Sequence, residues 1–313
     1  MKSEQILTNQ TYHQSVLTDE VIHYLNPSSL SSKRRTKQKN KIYVDATFGG
    51  GGHTGAILRA NPDCKVIAID WDTNALDKNG VQLQEEFPDR LILVWGNFAN
   101  IMNLLKRINV THVDGILADF GTSQYQIKER AGFSVYKDTP LDMRMSPAHQ
   151  KLTAAEIVNK ATEQKLKDIF WKYGEERYTN KIVDQILKER QKKYIKTTKD
   201  LAQIIERAVP KNVKIHPATK VFQALRIYVN SELENIHSLL SASLQLLNSE
   251  GRLVCISFHS LEDRIVKQFL KDHPCGLNKG FKVLTSKAVT ASEAELARNS
   301  SSRSAKLRAG ELC

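Results

Sequence analysis

The sequence predicts an α/β fold, a Rossmann-like parallel sheet interrupted by an inserted helical domain. Short apolar runs alternate with helical periodicity across residues 42–119. A run of glycines joins the first apolar run to the first helical segment. A further strand-like run then waits until residue 252, after a mainly helical stretch. Alternation of this kind marks successive βαβ units.

The predicted strands are 42–45, 66–70, 91–95, 115–119 and 252–257, and the helices between them lie near 54–60, 73–86 and 98–107. In the insertion, Thr153 and Glu156 have capping-box spacing, which satisfies two orphan N–H groups at a helix start. Gly174 closes a helix carrying Leu166, Ile169, Phe170 and Tyr173. Two more helices carry Ile182, Ile186 and Leu187, and then Leu201, Ile204 and Ile205 before Pro210. One long helix is predicted next: Phe222, Leu225, Val229, Leu233, Ile236, Leu240, Leu244 and Leu247 recur at steps of three and four, a stripe that faces a core. The expected organisation is a sheet domain of residues 1–125 and 215–313 around a mainly helical insertion of 126–214.

The most informative run is Val44-Asp45-Ala46-Thr47-Phe48 followed by Gly49 to Gly52, His53, Thr54 and Gly55. Consecutive glycines let a ligand approach the backbone and give free access to positive φ. Between a first strand and a first helix, such a turn is where a nucleotide-like cofactor lies. Gly50, Gly52 and Gly55 satisfy G-x-G-x-x-G, and Asp70 follows at the position of an acid that holds ribose hydroxyls. That pattern alone fits a nicotinamide dinucleotide as well as S-adenosylmethionine (SAM). Asp45, just before the glycines, would repel a pyrophosphate but could face an ammonium group, which favours SAM.

The chain has 313 residues and a formal charge of +12. No stretch approaches the ~18 apolar residues of a membrane span, and the polar start suggests no secretory signal. Cys64, Cys255, Cys275 and Cys313 are scattered without metal-type spacing, so reduced thiols in a cytoplasmic protein are expected and no metal is called for. The excess charge points to a polyanionic partner. It gathers in a serine-flanked basic arm at about 28–41 (Lys33 to Lys41), in Lys188 to Lys196, and in Arg298, Arg303, Lys306 and Arg308. Three basic clusters make nucleic acid the leading partner class.

Chemistry-bearing motifs follow the strand ends: Asp119 to Gln126, Gly132-Phe133-Ser134, Pro140 to Met145, and Ser257 to Arg264. With Asp45 to His53, Tyr173 to Arg177 and His216-Pro217-Ala218-Thr219, these runs closely resemble the bacterial ribosomal RNA small subunit methyltransferase H family, and the resemblance spans His13 to Arg308. It implies a SAM-dependent methyltransferase sheet with a helical, substrate-binding insertion, acting on the exocyclic N4 of a cytidine in small-subunit (16S) ribosomal RNA. It places cofactor contacts on Gly51, Gly52, His53, Asp70, Phe98, Asp119 and Gln126. The chain departs from the family at Phe120 to Gln124, where members read Leu-Gly-Val-Ser-Ser, and at Ala131, where they carry arginine.

The implied chemistry has one difficult partner. The sulfonium methyl is already activated, so alignment of donor and acceptor is the main task. The cytosine amino lone pair is delocalised into its ring, and an acceptor aimed at its N–H would localise it and take the proton. Asp119 is the candidate catalytic residue. Phe133 or Tyr125 would hold a base drawn out of its stack. Arg144, His259 and Arg264 are candidate contacts to phosphate or base. The expected partner is small-subunit ribosomal RNA or the assembled small subunit, with no membrane and with a homodimer left open. Two alternatives stand beside this reading: a ribosome-assembly factor that binds SAM and RNA without turnover, and a DNA amino-methyltransferase, whose usual Pro-Pro-aromatic run after strand four is absent here.

Overall fold

The computed structural model describes residues 15–25, 41–121, 131–210, 216–276 and 279–313. Its sheet holds Ile42–Asp45 (β1), Lys65–Asp70 (β2), Leu91–Trp95 (β3), Val113–Asp119 (β4), Leu247–Ser257 (β5), Phe281–Val283 (β6) and Lys306–Leu312 (β7). The order is β3-β2-β1-β4-β5-β7-β6. β1 to β5 run parallel, and β7 is antiparallel to both β5 and β6. This is the Rossmann-like sheet that the alternation predicted.

Side-chain alternation along the central strands divides the core in two, because successive residues of a strand point to opposite faces. Tyr43, Val66, Ala68 and Leu117 join one apolar cluster with the helices Thr18–Leu25 and Gly52–Ala60. Val44, Ile67, Ile69, Ile116 and Ala118 face the other way, into a cluster continuous with the insertion. That second cluster contains Ile157, Phe170, Ile182 and Ile205, one from each of four helices described in the insertion, Ala154–Lys160, Glu163–Gly174, Thr179–Lys192 and Thr198–Ala208. Thr153 and Glu156 form the predicted capping box, and Thr197 with Asp200 forms another.

The Tyr173 to Arg177 motif turns out to be a joint. Tyr173 donates its hydroxyl to Glu234 at 3.1 Å. A Cβ at Gly174 would stand 2.7 Å from Lys220 O, so the helix Thr219–Asn230 can pack this closely only against glycine. Glu175 follows in the left-handed region and meets Arg264 at 3.0 Å.

Several expectations are corrected. The long helix is two, Thr219–Asn230 and Glu232–Leu246, broken at Ser231, whose φ is 51°. The apolar stripe stays in register across the break, so periodicity alone does not reveal it. Asn235 Nδ2 caps the freed Asn230 carbonyl at 2.9 Å. The helical run 73–86 contains a π-turn at Leu76–Gly80, and β5 begins at Leu247 rather than 252. The alternation does not foretell β6 and β7, and they change the cysteine chemistry. Their pairing sets Leu312 beside Phe281 and brings Cys313 to Cys275, with which it forms a disulfide at a Cα–Cα distance of 5.7 Å. Cys64 and Cys255 are free and buried.

Two of the basic clusters are partly structural. Arg308 lies within β7 and binds Asp263 at 2.6 Å. Arg190 donates to the carbonyls of Val158 and Ala161 and so caps the end of the helix Ala154–Lys160. The arm at 28–40 lies outside the described residues. Among the described residues, no helix is long and apolar enough to cross a membrane.

Candidate functional site

A cavity of about 460 Å³ opens at the carboxyl ends of the parallel strands, where ligands of open α/β sheets bind. Its wall is assembled from the turns after β1, β2, β3, β4 and β5, from the helix break at Ser231, and from residues 300–304.

The glycine turn forms one side. Gly49 and Gly51 have φ of 51° and 76°. A Cβ on Gly51 would stand 2.9 Å from the Phe48 ring, and one on Gly52 would collide with the Ser15 hydroxyl. Asp45 lies beneath this turn and not at the cavity wall. It is fully buried, accepting from Thr54 Oγ1 at 2.7 Å and from Thr47 N at 3.1 Å. Burial pushes its carboxyl above the usual range, opposed by His53 and Thr54. Asp45 therefore holds the turn together, which corrects the expectation that it faces the cofactor's ammonium.

Asp70 ends β2 and lines the cavity. Its Oδ2 accepts from Gly49 N at 2.8 Å and its Oδ1 from Asp72 N at 2.9 Å. An ionised carboxylate has about four acceptor positions, so each oxygen keeps one for a diol. Burial raises its pKa to about 6. Phe98 stands in the short turn Phe98–Asn100 after β3, also on the wall, its ring centroid 6.0 Å from that of Phe120.

Asp119 ends β4, its backbone N–H donating to Thr47 Oγ1 at 2.7 Å. Its Oδ2 is 3.6 Å from His53 Nε2. Asp119 Oδ1 and both ring nitrogens of His53 are buried without hydrogen-bond partners among the described residues. Orphaned polar atoms of this kind are costly unless something else satisfies them, and here they stand together at the cavity wall. The structure thus gathers His53, Asp70, Phe98 and Asp119 around one space, with Gly49 and Gly50 of the turn. Gln126, Tyr125 and the divergent run from 122 to 124 lie outside the described residues.

The three expected substrate contacts separate. His259 lines the cavity and caps the helix Ser260–Asp272. Its Nδ1 accepts from Glu262 N at 3.4 Å, which fixes the neutral ring as the Nε2–H tautomer, and that nitrogen is 3.1 Å from Glu262 Oε1. Arg144 is held in an ion pair with Asp142 at 2.7 Å, outside the cavity wall. Arg264 is committed to Glu175 across the joint to the insertion, its side chain 63% exposed.

Arg226 and Glu232 also line the cavity, and sequence reasoning passed over both. They flank the break at Ser231 and form a two-armed pair, Nε to Oε1 and Nη2 to Oε2, each at 2.9 Å. The signal was two charges inside a stripe read as core, legible only if the helix is known to break between them. Glu232, His259 and Glu262 also offer ligand atoms within 4.8 Å of one another, but both Glu232 oxygens are engaged by the guanidinium.

The model for the MraW methylase family matches residues 10–312. The chain belongs to that family. A ribosomal RNA small subunit methyltransferase H of Syntrophotalea carbinolica is 43% identical over 315 residues, covering 95% of this chain and 96% of that protein. The protein of the same name from Endomicrobium trichonymphae is 47% identical over 272 residues, covering 86% and 91%. Among solved structures, an rRNA methylase from Streptococcus thermophilus is similar over 94% of this chain and 92% of its own, at 12% identity and a TM-score of 0.39. The family membership places the glycine turn, Asp70 and Asp119 in a methylase.

Proposed function

We propose that the chain transfers a methyl group from SAM to the exocyclic N4 of a cytidine in 16S ribosomal RNA. The observation that carries this reading is the meeting of the glycine turn, Asp70 and the orphaned Asp119–His53 pair in one cavity. The residues fit the cofactor. Asp70 keeps two acceptor positions for ribose hydroxyls, and Phe98 supplies an apolar edge for adenine. Gly49 and Gly50 line the cavity and let the backbone close on the methionine end, while Gly51 and Gly52 leave room for Phe48 and Ser15 behind them. When bound, SAM supplies an activated methyl on a cationic sulfur.

The protein's part is alignment and proton handling. Asp119 Oδ1, without a partner among the described residues, is the acceptor for an amino N–H of the base. It draws the nitrogen lone pair out of the ring and takes the proton as the new C–N bond forms. His53, 5% exposed, stands 3.6 Å from Asp119 Oδ2 and backs that carboxylate on its buried side.

The test is transfer of labelled methyl from SAM to small subunits from a strain lacking this activity, followed by nucleoside analysis. N4-methylcytidine is the expected product. Label in another nucleoside would overturn the N4 assignment. No label, with SAM still bound, would leave an assembly factor without turnover.

Cofactor affinity should depend on Asp70. Its folded pKa of about 6 lies above the ordinary 3.8, so without ligand its ionisation disfavours the fold, and this group's contribution to stability falls as pH rises from 3.8 to about 6. A diol that donates to the carboxylate selects the ionised form. SAM affinity should therefore weaken toward acid, by roughly tenfold per pH unit well below the folded pKa. Calorimetric titrations between neutrality and about pH 5 would read this. Asp70→Asn should flatten the profile at a lower affinity. A flat profile in the unaltered protein would remove Asp70 from the ribose.

A further inference from the structure

Beside the cofactor cavity, sharing Gly96 with it, lies a second concavity of about 280 Å³ that the proposed reaction does not use. Trp95 and His149 form its aromatic wall; Asn97, Asn100, Asn103 and Arg107 line the rest. Trp95 is the last residue of β3, in register with Asp70 of β2. The groove therefore opens next to the ribose end of the cofactor site.

Its chemistry is specific. The Trp95 side chain is 49% exposed, yet its Nε1–H donates to the Trp71 carbonyl at 3.0 Å, so the ring plane is fixed while its surface stays open. The His149 ring lies 5.2 Å away, tilted by 52°, and its Nδ1 is tethered to Ser146 Oγ at 2.9 Å. Three amides sit along the floor. Asn97 spends its Oδ1 on Ala99 N, which leaves its amino group free to donate. Asn100 makes no capping bond, and Asn103 and Arg107 have no side-chain partner among the described residues. Among the described residues, no carboxylate lines the groove.

A held aromatic face stacks a planar base, amides read a base edge in both senses, and an uncommitted guanidinium takes a phosphate. The lack of any carboxylate, in a chain of charge +12, matches an anionic ligand. We infer that this groove binds an unpaired nucleotide of the RNA substrate, other than the target cytidine, with its base on Trp95 and a phosphate on Arg107. The inference rests on the reading that the substrate is RNA. It adds a contact that would fix where the strand lies before the target base enters the main cavity.

The experiment uses the full chain, saturated with S-adenosylhomocysteine, with binding measured to naked 16S ribosomal RNA, to a short single-stranded oligoribonucleotide and, as a control, to assembled small subunits. Trp95→Ala should weaken binding to both RNAs by roughly 5- to 150-fold, the range seen when one stacking aromatic is truncated, and Trp95→Phe should recover most of it. Arg107→Gln should weaken binding and reduce the slope of log affinity against log salt by about 0.7, the loss of one phosphate contact on a single strand. S-adenosylhomocysteine affinity should stay within about twofold throughout, since binding selectivity below that ratio is under ~0.4 kcal/mol.

Unchanged RNA affinity and salt slope in both variants, with methyl transfer intact, would sink the groove and leave the proposed reaction standing. Equal loss of RNA and cofactor binding in Trp95→Ala would make Trp95 a support of the main cavity and overturn the inference. A defect on assembled subunits but not on naked RNA would assign the groove to a ribosomal protein and overturn it equally. Unaltered protein that bound cofactor but no RNA would sink the RNA reading itself, and this inference with it.

Discussion

Asp119→Asn is expected to lower methyl transfer at saturating SAM by about 10²- to 10⁴-fold, the range attributed to a positioned proton acceptor. The substitution keeps side-chain volume and leaves the backbone bond from Asp119 N to Thr47 Oγ1 in place. It removes the charge that makes the unpartnered Oδ1 a proton acceptor. An amide oxygen still accepts a hydrogen bond, so the base should still bind, but an amide does not take the proton that the amino group must lose. Single-turnover measurement with excess enzyme separates this step from product release. SAM affinity, read independently by calorimetry, should change far less than turnover. Preserved turnover with a raised SAM requirement would sink the acceptor role and return Asp119 to cofactor binding alone.

Features that depend on near neighbours in the chain are legible in the sequence. The glycine turn, the carboxylate closing β2 and the capping box at Thr153 each rest on a local rule. The strand alternation from residue 42 to 119 is legible because parallel strands buried on both faces read as apolar runs. Other features need contacts remote in sequence. Ser231 breaks a helix whose apolar stripe continues unshifted, and what stabilises the break is an amide at Asn235 and an ion pair across it. Cys275 meets Cys313 only because β6 pairs with β7. Arg308, which reads as part of a basic patch, is instead buried against Asp263. In each case the residue type is visible in the chain, but the partner that decides its role is not. The same holds at the site: Asp45 lies in the glycine motif, yet it is fully buried against Thr47 and Thr54, away from the cavity wall.

The largest expected effect on stability comes from the pair at that helix break. Arg226→Met should destabilise the fold by about 3–5 kcal/mol, the cost of leaving one member of a buried ion pair uncompensated. Glu232, whose side chain is 9% exposed, would lose both hydrogen bonds and stand beside Glu262, whose side chain is 1% exposed. Burial pushes the Glu232 carboxyl above its ordinary range even with the guanidinium present. Desolvation outweighs the attraction at the carboxylate, whereas the guanidinium, against its own desolvation, is held above its ordinary range by Glu232; with the two opposed, the pair is worth little as a source of net stability. The double variant Arg226→Met, Glu232→Met should accordingly be far milder than either single change, within about 1–2 kcal/mol of the unaltered protein. Urea unfolding of the four proteins in a double-mutant cycle measures the coupling directly. A double variant as unstable as Arg226→Met would show that the two charges do not compensate each other. If instead the double variant folds well yet loses methyl transfer, the pair is retained for the cavity wall it builds, because Arg226 and Glu232 both face the space that Asp119 and His53 share.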